Sequence, residues 1–123
     1  MIAGVVSGER ELLIDIEVIT AGQSPLAVRA VVDTGFNGYL TLTREMLTAA
    51  VATSAGTRRA ELGDGQIVDL ELFLIRIKWL GEEHDILAVQ SDAAPLLGMS
   101  LLWGKRVAFD AQDGGAVIID PLP

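Results

Sequence analysis

The chain has 123 residues, 50% of them hydrophobic, which is enough for one domain with a real core and too little for two. Nine Lys and Arg stand against 17 Asp and Glu for a formal charge of −8, with no basic stripe on any face, so nucleic-acid binding is excluded as a leading reading. The absence of Cys and a single histidine, His84, remove thiol catalysis, disulfides and thiolate or imidazole metal sites, and no Gly-x-Ser-x-Gly elbow accompanies that histidine to make a serine triad.

The opening MIAGVVSGER has no basic start and too short an apolar run for a signal peptide, and no run approaches membrane-spanning length. The expectation is a soluble, cytoplasmic protein with no membrane partner. Residues 12–19, LLIDIEVI, alternate Ile14, Ile16 and Val18 against Asp15 and Glu17, the period of a strand with one buried face. AGQSP makes a turn, residues 26–32 form a second strand that delivers Asp33 to its end, and residues 39–42 start a third. Thr43 caps a helix, REMLTAAVA, with Met46, Leu47, Ala50 and Val51 on one side, and TSAGT is its exit. Gly63-Asp64-Gly65 suits a hairpin tip, since both glycines tolerate positive φ.

Beyond that tip, Val68, Leu70 and Leu72 share one parity while Phe73, Ile75, Ile77 and Trp79 share the other. The switch predicts a bulge or a change of packing environment near Leu72 and Phe73. Gly81-Glu82 turns the chain into a strand over 84–90, PLLGMSLLWG follows, and RVAFD and AVIID form a terminal hairpin around Ala-Gln-Asp-Gly-Gly. The total is seven or eight strands with little helix: an all-β, small closed domain over residues 1–123.

The stretch with chemical interest is VVDTGFNGYLTL, residues 31–42. An acid carried out of an apolar strand into a tight turn is either an ordinary turn residue or a reactive one, because a half-buried carboxylate needs compensation. Asp-Thr-Gly alone is a weak signal. Its setting strengthens it: apolar strands before and after, a Gly-tipped hairpin about thirty residues on, then Leu96-Leu97-Gly98.

In these residues the chain resembles the retropepsin-like (clan AA) aspartic peptidases, and Asp-Thr-Gly-Phe-Asn-Gly is similar to a prokaryotic branch of that clan. The resemblance spans residues 11–102 and is specific at 31–35 and 95–102. It implies a small closed acid-protease barrel with one or two short helices, one lobe per chain. It also implies that Leu96, Leu97 and Gly98 support the active-site turn and lead into a helix at Met99-Ser100-Leu101-Leu102. Such hydrolysis needs one carboxylate to deprotonate a water and a second, protonated, to polarise the carbonyl, without metal or cofactor. Two carboxyls about 3 Å apart share one proton. Only Asp33 has the right setting, since Asp64 and Asp113 sit in hairpin turns without the apolar strand, so the second carboxyl has to come from a second copy in an isologous homodimer.

By the same resemblance Thr34 bonds across the dimer axis and Gly35 lets backbone approach a peptide or protein substrate; the Phe36 ring either lines a substrate pocket or fills space beside the catalytic pair, Asn37 is placed to bond a substrate backbone, and Gly63, Asp64 and Gly65 are expected to tip a flap. The chain departs from the family pattern at Phe36, where Ala or Ser is common, and at Asn37 and Met99, where retroviral-type relatives carry an acid and an Arg. Both halves of that ion pair are missing together.

Plainer readings stand beside these. Asp33 fits a turn residue, Gly63 to Gly65 a simple hairpin, His84 a surface strand position, and Trp79 and Trp103 core or interface positions. A non-catalytic dimer of the same fold, acting as a peptide-binding or scaffold module, is the rival function, and a single-chain barrel without a dimer is a third. The apolar chain ends, MIAGVV and AVIID, invite an interface sheet between subunits.

Overall fold

A computed structural model describes residues 1–123 apart from Ala21 and Gln23, so two residues of the expected AGQSP turn lie outside the described residues. Ten strands and two short helices follow in the order β1 (Ile2–Val6), β2 (Leu12–Ile19), β3 (Leu26–Val32), β4 (Leu40–Leu42), α1 (Arg44–Ala49), β5 (Thr53–Glu61), β6 (Ile67–Trp79), β7 (Glu82–Gln90), β8 (Leu96–Leu97), α2 (Met99–Leu102), β9 (Lys105–Phe109) and β10 (Ala116–Pro121). The protein is all-β, and among the described residues no helix is long and apolar enough to cross a membrane.

The alternation read in β2 is realised: Ile14, Ile16 and Val18 are buried while Asp15 and Glu17 are exposed. Asp15 lies opposite Arg29 on β3, and the guanidinium Nε donates to Asp15 Oδ1 at 2.9 Å. These hydrogen bonds hold the Asp15 carboxyl below the ordinary carboxylate range.

From β3 the pairing continues in parallel to β8 (Val31↔Leu96, Val32↔Leu97), antiparallel to β4 (Leu40↔Leu97), in parallel to β7 (Leu40↔Ala88) and antiparallel to β6. β6 returns to β2 through Val18↔Ile77, so these six strands form a ring of pairings. One edge of β2 is shared, with Leu12 and Leu13 serving β1 while residues 17–19 serve β6. Ile16, Val28, Leu40, Ile77, Leu97 and Ile119 are buried in one apolar core reaching from the ring to the terminal strands.

Several boundaries differ from the sequence reading, each for a local reason. Thr43 caps α1 as expected, its Oγ1 accepting from Met46 N–H at 3.3 Å, but the helix ends at Ala49. Val51, expected on the buried side, is exposed with φ 53°, and the Ala52 and Val51 amides donate back to the Leu47 and Thr48 carbonyls. That is a Schellman ending with Val where Gly is usual. TSAGT is therefore not a helix exit but the start of β5, whose side chains are almost all exposed and escaped the reading because they show no buried face. The turn after β6 is Leu80-Gly81, one residue earlier than expected. Both residues have positive φ (51° and 83°), as a two-residue type I′ hairpin requires.

The parity switch has a structural origin. The β5–β6 register shifts between Ser54 and Gly56, opposite Leu72 and Phe73, and Gly56 takes φ 96° there. Past the bulge, Ile75, Ile77 and Trp79 enter the ring's core. At the chain ends β1 pairs with β10 of the same chain, and β10 is flanked on its other side by β9. The open sheet edges are thus β9 and β5, not the β10 strand expected to offer an edge to a second subunit.

Candidate active site

Asp33 follows the last residue of β3, and the β3–β8 ladder runs to it: Val31 N–H donates to Pro95 O and Asp33 N–H to Leu97 O, each at 2.9 Å. The turn closes above this pair. Phe36 N–H donates to Asp33 O at 3.2 Å, and Gly35 N–H donates to Asp33 Oδ1 at 2.9 Å. One carboxylate oxygen is thereby oriented by the loop, while among the described residues Oδ2 accepts no hydrogen bond. Asp33 is half-buried; Thr34 and Gly35 are exposed beside it. A Cβ on Gly35 would sit 3.2 Å from Asp33 Oδ1, so a side chain there would press on the carboxylate.

Leu96, Leu97 and Gly98 lie beneath this turn, in the place the sequence reading gave them. Gly98 N–H donates to Tyr39 O (2.9 Å), Met99 N–H to Phe36 O (2.8 Å) and Ser100 N–H to Gly38 O (3.1 Å), so the start of α2 is tied to the 36–39 backbone at three points. A Cβ on Gly98 would collide with the Gly38 carbonyl and lie 2.6 Å from Phe36 Cδ2; one on Gly38 would lie 2.5 Å from Phe36 Cζ. The Phe36 ring thus occupies a slot that exists because positions 38 and 98 lack side chains, and it serves the turn's own packing. Asn37 is exposed, and its carbonyl accepts from Ser100 Oγ at 2.6 Å.

Thr41 was missed in the sequence. It was read only as part of the strand over 39–42, yet it is buried, and its Oγ1 accepts from Leu96 N–H at 2.8 Å. This bond fixes β8 from its far side. The signal available was the flanking pattern: β4 pairs with β8 and β7 and is buried on both faces, and a hydroxyl in such a strand has to find a partner.

Gly63, Asp64 and Gly65 tip the β5–β6 hairpin as read. Gly65 takes φ 83°, whereas Gly63 does not use positive φ, and Asp64 Oδ1 accepts from Gln66 N–H at 2.9 Å. The outer half of this hairpin is exposed, and no hydrogen bond among the described residues joins its tip to the 33–38 turn. His84 is exposed on β7 with Nε2 3.8 Å from Glu82 Oε2, and Trp79 is buried in the core. Among the described residues no three His, Asp or Glu side chains cluster as a metal site.

No protein-family model matches the chain, and no curated protein matches it.

Proposed function

We propose that the chain is a retropepsin-like aspartic endopeptidase in which Asp33 and Asp33′ of a second copy form the catalytic pair on a two-fold axis. The ring of six strands is read as the small closed barrel of that fold, one lobe per chain. The observation that carries the reading is the seating of Asp33: a half-buried carboxylate at the end of β3, oriented through one oxygen by Gly35 N–H and supported from below by the β8–α2 segment. A turn that only needed an acid for its own hydrogen bond would not need a second segment tied to it at three points.

In the proposed reaction the ionised carboxyl takes a proton from a water whose oxygen adds to the peptide carbonyl carbon. The protonated carboxyl gives its proton to the carbonyl oxygen. The gem-diol then collapses: the C–N bond breaks, the leaving nitrogen takes the proton that the first carboxyl had taken from water, and one gem-diol hydroxyl gives its proton to the other carboxylate as the carbonyl re-forms, so the pair again carries one proton. Thr34 would lock the two turns together, Gly35 and Asn37 would offer backbone and side-chain contacts to the peptide, and the Gly63–Gly65 hairpin would close as a flap. Phe36 would support the turn through its ring packed against Gly38 and Gly98. No metal or cofactor enters the scheme.

Purified full-length chain, incubated with a peptide library between pH 4 and 7 in ¹⁸O-labelled water, should release fragments that carry one ¹⁸O at the new carboxyl terminus. Hydrolysis should fall on both sides of a mildly acidic optimum, because the pair must carry one proton. Absence of cleavage by a dimeric, folded protein would leave the peptide-binding or scaffold reading in its place.

A further inference from the structure

The apolar residues of β6 change sides along the strand. Ile75, Ile77 and Trp79 are buried in the core, whereas Val68, Leu70, Leu72 and Leu74 share the opposite face. Leu74 pairs with Leu87 of β7 on that face, and the two are 45% and 41% exposed. From β5 the same outer face receives Gly56, Arg58 and Ala60, which lie opposite Leu72, Leu70 and Val68. On its other side β5 has no neighbour, because it is the last strand of the sheet.

Charge is distributed unevenly over this edge. Arg59 shares the other face with Glu61, with Asp69 opposite it and Glu71 opposite the neighbouring Thr57, so three acids surround it. Arg58 stands among Gly56, Ala60, Val68, Leu70 and Leu72, none of them acidic, and among the described residues it enters no ion pair. An exposed guanidinium without a local acid attracts carboxylate on another molecule, even from a chain of net charge −8. The residues on either side of it are small. A Cβ on Gly56 would meet nothing within 4 Å, and Ala60 ends at its methyl, so Leu72 and Val68 are only partly covered from the edge.

We propose that the free edge of β5 takes an extended segment of a partner protein as an added strand, one that presents Asp or Glu beside Arg58 and large apolar side chains two residues before and after it. Backbone groups of residues 57–61 supply the pairing. The acid meets Arg58 in a charge-assisted hydrogen bond, while the flanking apolar side chains lie over Gly56 and Ala60 against Leu72 and Val68. A second copy of β5 is the wrong occupant, since it would set Arg58 and Arg59 beside another pair of arginines. Docking at this edge is independent of the Asp33 reading.

The probe is a rhodamine-labelled peptide, Ser-Thr-Leu-Thr-Glu-Thr-Val-Thr-Ser, followed by fluorescence anisotropy on the full chain carrying Asp33→Asn, so that the peptide stays intact whatever Asp33 does. Saturable binding is expected, weakened about 10-fold or more by Arg58→Glu and regained when that variant meets the same peptide with Lys in place of Glu. Arg59→Glu changes the net charge equally from the other face and should weaken binding by less than about 3-fold. Amide hydrogen exchange over residues 57–61 should slow when the peptide is bound. No saturable binding up to about 1 mM peptide, an equal loss in Arg59→Glu, or binding without protection of residues 57–61 would each overturn the proposal.

Discussion

Gly98→Ala isolates the packing beneath the Asp33 turn from any backbone effect. Gly98 has φ −101° and ψ 178°, which alanine adopts freely, so within the folded state the added methyl acts by contact alone. That methyl would overlap the Gly38 carbonyl and lie 2.6 Å from Phe36 Cδ2 and 2.7 Å from Phe36 O. Two of the three neighbours are backbone and cannot rotate away. Both carbonyls are acceptors, for Ser100 N–H at 3.1 Å and Met99 N–H at 2.8 Å, so making room costs a hydrogen bond as well as strain. Overpacking contributes about 1–3 kcal/mol and a lost hydrogen bond about 1 kcal/mol, while alanine's smaller unfolded-state entropy returns about 0.5–1 kcal/mol. The net loss is about 1–3.5 kcal/mol from a total of roughly 5–15 for a domain of this size. Urea unfolding followed by circular dichroism measures it. Gly63→Ala is the control in the same assay: its Cβ meets nothing within 4 Å and its φ is not in the left-handed region, so it should be neutral or slightly stabilising. A Gly98→Ala midpoint equal to wild type, at unchanged denaturant slope, would refute the claim that α2 and the turn are in tight contact.

Val51→Gly should stabilise the fold by about 0.5–1 kcal/mol, because relief of a left-handed β-branched residue outweighs the added unfolded-state freedom, and Val51 at 68% exposure gives up little packing; a lower melting temperature would contradict this. Asp33→Asn keeps an oxygen for Gly35 N–H, so stability should change by less than about 1 kcal/mol while peptide hydrolysis disappears; retained turnover would remove Asp33 from the catalytic role. Thr41→Val should cost about 1–3 kcal/mol by leaving Leu96 N–H without its acceptor, read from the urea midpoint, and loosen β8 under the site. Asp15 and Asp85 are each held below the ordinary Asp value of 3.8 by hydrogen bonds from Arg29 and Arg76. The depressed carboxyls contribute stability above that value and lose it as pH falls through their folded values, so the wild type should lose more stability than an Asp15→Asn/Asp85→Asn variant between pH 5 and about 2, and less so in high salt. Equal acid sensitivity of the two proteins would count against both pairs.

What could be read from the sequence was whatever a single segment encodes. β2 announced itself because Ile14, Ile16 and Val18 all face one core, and the bulge was visible because the apolar parity of β6 changes sides at Leu72 and Phe73. β5 was invisible for the converse reason: a strand paired on one edge only and exposed on both faces carries no periodic apolar signal, and its first residues read as loop. The site divides the same way. Asp33, Thr34 and Gly35, and Leu96 to Gly98, are each contiguous in the chain and so were legible as motifs, and the structure brings the two segments together. Thr41 and the Gly38–Phe36–Gly98 slot depend on contacts between segments some sixty residues apart, and one sequence does not reveal which glycine faces which ring.

The slot bears on how a turn keeps an acid in place without a buried ion pair. The backbone ties from α2 to residues 36–39 are neutral, and the ring of Phe36 fills the space between the segments with apolar surface, which needs no charged partner and suffers no desolvation penalty. The arrangement is also unforgiving. A ring seated against two glycines tolerates no added methyl on either, whereas an ion pair reaching across a gap would tolerate small shifts. Asn37 and Met99, the positions without charges, are left free to line an uncharged groove with Tyr39, Ser100 and Trp103.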